Sequence, residues 1–336
     1  MKSQFIFKKD LNDFLGTLSV DNDIYYLADN DAYKKYSANG PSIDISIDNV
    51  RANLPLRSFF FNHNEKLDTA SLNLEKKTII FGVKACDLNA LKIIKEVYLG
   101  GVCTDPFVEN KLANTLIFAS DCPTPKDTCF CTFIGGNPFA QAYENKSFDL
   151  NFSPVDDGYV VDVISVVAEE IIAQAQAFFR DAVDTELSKR EEMRDSAVKT
   201  LDRINVNYKS IKDIDFKGLA GRKYLSESWK EYCKTCVQCT GCNNICPSCY
   251  CFYLTEANAK YRYWDACHYT THGKVAGGGN ARPKIHERFR NRYQCKLNYR
   301  KTNFGIYACT GCGRCISVCP GKIDIRDVVK KLSAES

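Results

Sequence analysis

No stretch of this sequence is apolar for long enough to cross a bilayer. The most apolar one, Val160 to Phe179, is broken by Asp162, Glu169, Glu170, Gln174 and Gln176, whereas a membrane helix needs about 20 predominantly apolar residues in a row. The start, MKSQFIFKKDLND, lacks the apolar centre and small-residue cleavage site of a secretory signal, so a cytoplasmic location with reduced thiols is expected. Neither sign of charge dominates. With 45 Lys and Arg against 41 Asp and Glu the net charge is +4, which gives no electrostatic footprint for nucleic acid as a partner. No G-x-G-x-x-G run follows a strand, so no dinucleotide loop is expected, and Gly277–Gly279 read as a turn. There is also no nucleophile–base pair and no phosphate loop, so no catalytic residue is expected. Low-complexity segments are missing too. Apolar residues at 45% and charged residues at 26% describe an ordinary globular chain.

What the sequence has in excess is cysteine, 18 in 336 residues, 13 of them from Cys233 onward. Cys236, Cys239, Cys242 and Cys246 precede Pro247, and Cys309, Cys312, Cys315 and Cys319 precede Pro320. Each set spells C-x2-C-x2-C-x3-C-P, the run that wraps backbone around a cubane 4Fe-4S cluster and sends its fourth cysteine to the other cluster. Two clusters are therefore expected, one on Cys236, Cys239, Cys242 and Cys319, the other on Cys309, Cys312, Cys315 and Cys246. Structural zinc competes poorly, because it takes spaced cysteine pairs and four thiols at this density would overfill a tetrahedron. Disulfides do not suit reduced cytoplasmic thiols. Cys233 extends the x2 spacing backward by one step, but Pro247 and the x3 gap anchor the register and leave Cys233 outside the ligand set.

The architecture expected is α+β, with a mixed α/β domain over 1–160, a helical connector over 161–230, and a mainly helical, dicluster-ferredoxin-like domain over 231–336. Strand-like runs fall at Asp23–Leu27, Thr78–Val83, Thr115–Ala119 and Tyr159–Val163, and helical spacing covers Leu88–Tyr98. Helices are expected from Ser165 to Asn207 and through Leu219–Tyr232. The 62 residues between Cys246 and Cys309 form an insertion containing Trp264 and a basic stretch, Arg282 to Lys301, in which Glu287 is the lone acid. That stretch reads either as a solvated face or neutraliser of buried anionic groups, or as a docking stripe for an acidic redox partner. His268 and His272 read as helix-surface residues, and Cys249, Cys251 and Cys267 as shielding for the first cluster.

Several further runs complete a pattern. FGVKACDLNAL at 81–91, GG-x3-DPF at 100–107, DCPTPKDTCFC at 121–131, CVQCTGCNNICPSCYCF at 236–252, WDACH at 264–268, AGGGNARP at 276–283 and CTGCGRCISVCP at 309–320 resemble the beta subunits of sulfhydrogenases and the A subunits of anaerobic sulfite reductases. The resemblance implies an electron-transfer component, not the catalytic subunit, of an anaerobic oxidoreductase complex. Its partners would be a flavin- and NAD(P)H-binding subunit and a catalytic reductase or hydrogenase subunit. It also draws attention to Cys86, Cys122, Cys129 and Cys131, which two neighbouring strand ends could bring together around a third cluster or leave as buried packing. A self-sufficient reductase with its own flavin or substrate site in the N-terminal half is the alternative, and a flavin spectrum in the isolated chain would distinguish it.

Overall fold

A computed structural model describes residues 3–29, 31–38, 47–72, 75–141, 147–256 and 258–335. Its strands, in chain order, are β1 (Gln4–Phe7), β2 (Asn22–Ala28), β3 (Ala32–Lys35), β4 (Asn64–Lys66), β5 (Lys77–Val83), β6 (Thr115–Ser120), β7 (Leu150–Val155), β8 (Gly158–Val163), β9 (Arg180–Asp181), β10 (Phe252–Glu256) and β11 (Lys260–Trp264). Eight of them form one mixed sheet in the order β3-β2-β5-β6-β7-β8-β1-β9. β2, β5, β6 and β7 run parallel at its centre, and antiparallel strands close both sides.

The period-2 alternation of a strand divides the apolar residues between two faces. Ile79, Phe81 and Phe118 pack into one core with Phe14, Phe152 and Tyr159, while Ile80, Val83, Ile117 and Ala119 pack into another with Leu88, Leu91 and Ile94 of the helix Ala85–Tyr98. Both faces of the central strands are buried, which is why these strands read as continuous apolar runs. The parallel neighbours β5 and β6 end side by side, with Val83 paired to Ala119. Lys84–Cys86 and Asp121–Cys122 follow directly, so Cys86 and Cys122 emerge at the same sheet edge, where parallel α/β sheets place ligands.

The four expected strands and the helix over 88–98 all lie within observed elements. The chain is mixed α/β. The expected mainly helical C-terminal region instead contains a β-hairpin, because β10 and β11, inside the insertion between the motifs, pair with each other and with β4. The aromatic residues of that hairpin favour a pleated surface over a helix. Trp229, Phe289 and Tyr293 centre a separate core that packs the helices Ser228–Tyr232, Ile285–Gln294 and Ile325–Ala334. No helix among the described residues is long and apolar enough to cross a membrane.

A buried ion network fastens the hairpin to the rest of the chain. Arg262 of β11, 1% exposed, donates its Nε to Glu65 of β4 at 3.2 Å and also pairs with Asp105, while Lys111 pairs with Glu65. Its guanidinium lies 5.0 Å from the Phe61 ring centre. Removing one partner of a buried pair strands the other charge at a cost of about 3–5 kcal/mol. Glu65→Ala is therefore expected to destabilise the hairpin by roughly that amount, read as accelerated amide hydrogen exchange over residues 252–264. Unchanged exchange there would show that the network does not hold the hairpin.

Candidate metal centre

The two cysteine runs fold in the same way. In the first, Gln238 and Thr240 take left-handed φ of 58° and 59°, and in the second Gly311 and Gly313 take 64° and 72°. These are the same two positions of each run, second and fourth after its leading cysteine. Left-handed residues turn successive thiols toward one side. Each run then ends in a single helical turn, Gly241–Asn244 and Arg314–Ser317, carrying the next cysteine on its face and the last just beyond it.

Cys236, Cys239 and Cys242 line one apolar cavity with Cys319, the last cysteine of the other run, and with Cys315 at its border with the second group. Gly321, just past Cys319, closes the approach, because a Cβ there would stand 2.2 Å from the carbonyl oxygen of Thr235. Cys309, Cys312 and Cys315 group with each other and with Cys246, the last cysteine of the first run. The two groups meet at Cys242 and Cys315. Burial pushes the Cys309 thiol up to about 12 and the Cys242 thiol up to about 11. At neutral pH such thiols become thiolates only where a metal ion compensates the charge. Among the described residues no three Cys, His, Asp or Glu side chains converge on a single ion position.

Buried cations surround both groups. Arg288, Arg292 and Lys296 recur every fourth residue along the helix Ile285–Gln294 and the π-helical turn Cys295–Tyr299 that continues it, and all three are buried. Arg292, beside Cys242 and Cys315, donates to the Asn243 side-chain oxygen at 2.9 Å and to the Cys242 carbonyl at 3.3 Å. Arg57 donates to the Cys246 carbonyl at 2.9 Å and stacks 3.5 Å from the Trp264 ring centre. This side of the basic stretch thus neutralises buried groups. His268, expected on a helix surface, is instead 2% exposed with its Nε2 3.5 Å from the Cys236 sulfur. Burial, with Arg292 and Arg288 nearby, lowers its pKa to about 4, so it stands neutral. Cys233 sits in the apolar core with its sulfur 3.3 Å from the Lys230 carbonyl, apart from the first cavity.

The four N-terminal cysteines gather beside the second group. Cys122, Cys129 and Cys131 lie within electrostatic reach of one another, and Cys86 faces Arg314, Cys312 and Arg51. The Cys129 sulfur is 3.8 Å from the Cys312 carbonyl, and the Phe130 amide donates to the Gly311 carbonyl at 2.8 Å. Arg51 also donates to the Cys312 carbonyl, and Arg314 pairs with Asp87 at 2.7 Å. Lys84, 2% exposed, is held by the Ile47 carbonyl at 2.6 Å and by the Ser120 hydroxyl and Asp121 carbonyl at 2.7 Å. Arg51 Nη2 and Arg314 Nη1 are buried with no hydrogen-bond partner among the described residues. Two stranded guanidinium donors among thiols are what an anionic, sulfur-rich group would satisfy. Arg51 and Arg57 had no sequence signal, since the groups they serve lie far away along the chain.

Two comparisons agree with this geometry. The 4Fe-4S dicluster domain family matches residues 235–323, which span both cysteine runs. The chain is 32% identical over 296 residues to sulfhydrogenase 2 subunit beta of Pyrococcus furiosus, covering 84% of this chain and 84% of that one. With motifs, cavity chemistry and sequence relatives in agreement, this chain is an iron–sulfur electron-transfer protein that belongs to the sulfhydrogenase beta-subunit family.

Proposed function

We propose that the chain is the electron wire of a cytoplasmic, anaerobic multisubunit oxidoreductase, taking electrons from or returning them to a flavin- and NAD(P)H-binding subunit and exchanging them with a catalytic hydrogenase or sulfite-reductase subunit. Cys236, Cys239, Cys242 and Cys319 hold one 4Fe-4S cluster, and Cys309, Cys312, Cys315 and Cys246 hold a second. Cys86, Cys122, Cys129 and Cys131 hold a third. A bound cubane supplies reversible one-electron chemistry. The chain's residues 1–160 and 231–336 carry separate sets of ligands, joined by the connector 161–230.

The observation that carries this reading is the sharing of one cavity by cysteines of both runs, with buried cations packed around it. Thiolates leave those cations compensated, and the cations in turn favour the reduced, more negative form of a bound cluster. The protein's part is to hold the thiols, exclude water and set this electrostatic balance. Backbone contact between the Cys129–Cys131 loop and the Gly311 loop supports a third site beside the second, which would give an electron a direct path between them.

Cys129→Ser/Cys131→Ser is expected to lower the iron and acid-labile sulfide of the full chain, purified without oxygen, by about four each. The electron paramagnetic resonance signals of the two motif clusters should persist. Unchanged iron in that variant would leave those cysteines as packing and remove the third cluster. Stoichiometric flavin in the chain alone, or NADH oxidation by it, would overturn the wire reading.

A further inference from the structure

Four cysteines that the sites above leave unused meet around one cavity. Cys249 and Cys251 follow the first run, Cys267 follows the hairpin, and Cys295 opens the π-helical turn. All four line the same cavity together with Lys296 and Arg300. The Cys251 and Cys267 thiols face each other, and Cys295 lies within electrostatic reach of both. Buried Lys296 reaches into the group, its Nζ 3.3 Å from the Cys249 sulfur and 3.0 Å from the Ser248 hydroxyl. Arg300 Nε is buried with no hydrogen-bond partner among the described residues, its guanidinium 4.7 Å from the Tyr250 ring centre. A π-helical turn inside a helix is rare and frequent at functional sites, and here it carries both Cys295 and Lys296.

We propose that Cys249, Cys251, Cys267 and Cys295 hold a further 4Fe-4S cluster, an inference that rests on the iron–sulfur reading above. Lys296 already faces Cys246 of the second site, but the buried Arg300 guanidinium keeps an N–H without a partner among the described residues, which is costly in a low-dielectric interior. A thiolate-ligated cluster provides that partner. The four thiols come from three separate segments and line one cavity, and an all-thiolate set is the ligand chemistry of a 4Fe-4S cluster. The cysteine inventory then closes. Four sets of four account for all but Cys103, which is exposed, and Cys233, which sits in the apolar core.

The new site also changes the shape of the wire. The Cys249 thiol faces Cys246 of the second site. The second site therefore adjoins the first at Cys242 and Cys315, the third at Cys129 and Cys312, and the new one at Cys246 and Cys249. It is a junction with three neighbours, and each hop oxidises one cluster and reduces the next by a single electron.

The test is metal and sulfide analysis of the full chain purified without oxygen. Cys251→Ser/Cys267→Ser is expected to lose about four irons and four sulfides, in addition to and separately from the loss caused by Cys129→Ser/Cys131→Ser. Cys103→Ser should keep the wild-type content. Because the double variant could fold poorly, alkylation of the wild-type chain, located by mass spectrometry, supplies a second readout. Cys249, Cys251, Cys267 and Cys295 should resist labelling until iron is chelated, while Cys103 labels at once. Unchanged iron in Cys251→Ser/Cys267→Ser, zinc in place of that iron, or labelling of the four thiols in the iron-replete chain would overturn the proposal. A chain that binds no iron at all would overturn the iron–sulfur reading itself.

Discussion

Cys319→Ser is expected to abolish the cluster held by Cys236, Cys239 and Cys242 while leaving the second motif's cluster intact, and Cys246→Ser is expected to do the reverse. A reading by sequence proximity predicts the opposite, since each of these cysteines ends the other run. The grouping of the side chains supports the crossed arrangement. Cys319 lines the cavity of the first run, whereas Cys246 groups with Cys309 and Cys315. The x3 gap after the third cysteine carries the chain past its own cluster, and proline after the fourth turns it away. A missing thiolate leaves one iron without its protein ligand, so each variant should lose about four irons or degrade to a three-iron form with its own paramagnetic signature. Potentiometric titration followed by electron paramagnetic resonance separates the two clusters. Cys233→Ser serves as the control, because Cys233 packs among Trp229 and Phe289 and lies outside the cavity. Damage confined to each variant's own run would refute the crossed arrangement.

The dicluster domain was legible in the sequence because the wrapping of a cluster by three cysteines is local, and a spacing of two residues encodes it. The strands over 78–83 and 115–119 were legible for a related reason, since a central parallel strand buried on both faces is a continuous apolar run. From those two strands followed the meeting of Cys86 and Cys122 at one sheet edge. The hairpin β10–β11 was not legible, because FYLTE and KYRYW are exposed or half-buried over most of their length and their pairing depends on β4, nearly two hundred residues earlier. The buried cations divide along the same line. Arg288, Arg292 and Lys296 could be seen as a basic stretch, and their four-residue period marks the face that turns inward. Arg51 acts on a carbonyl brought to it only by the tertiary fold. Cys295 shows the same limit. It belongs to no cysteine motif, and only the π-helical turn aims it at Cys251 and Cys267.

Gly311→Ala is expected to cost the second and third clusters together, while Gly305→Ala at a similar backbone angle is expected to be mild. Both glycines are left-handed, with φ of 64° and 72°. An alanine side chain in that region costs about 1–2 kcal/mol from its backbone alone. Around Gly305 there is open space, so Gly305→Ala measures that strain by itself. At Gly311 the added carbon would stand 2.5 Å from the amide nitrogen and Cα of Cys131 and from the carbonyl oxygen of Phe130. These are backbone atoms of the C-F-C loop and cannot rotate away as a side chain would. Overpacking adds about 1–3 kcal/mol when neighbours must shift, so the total for Gly311→Ala is roughly 2–5 kcal/mol. The displacement falls on two loops at once. One holds Cys309 and Cys312 of the second site, and the other holds Cys129 and Cys131 of the third. The Phe130 amide bond to the Gly311 carbonyl, 2.8 Å long, would break with it. Iron analysis of the chain purified without oxygen should therefore fall by up to about eight in Gly311→Ala and stay at the wild-type value in Gly305→Ala. Thermal unfolding should order them the same way, with Gly305→Ala only slightly below wild type. Full iron in Gly311→Ala would mean that the two loops are not in backbone contact, and with that the short path between the second and third sites would be lost.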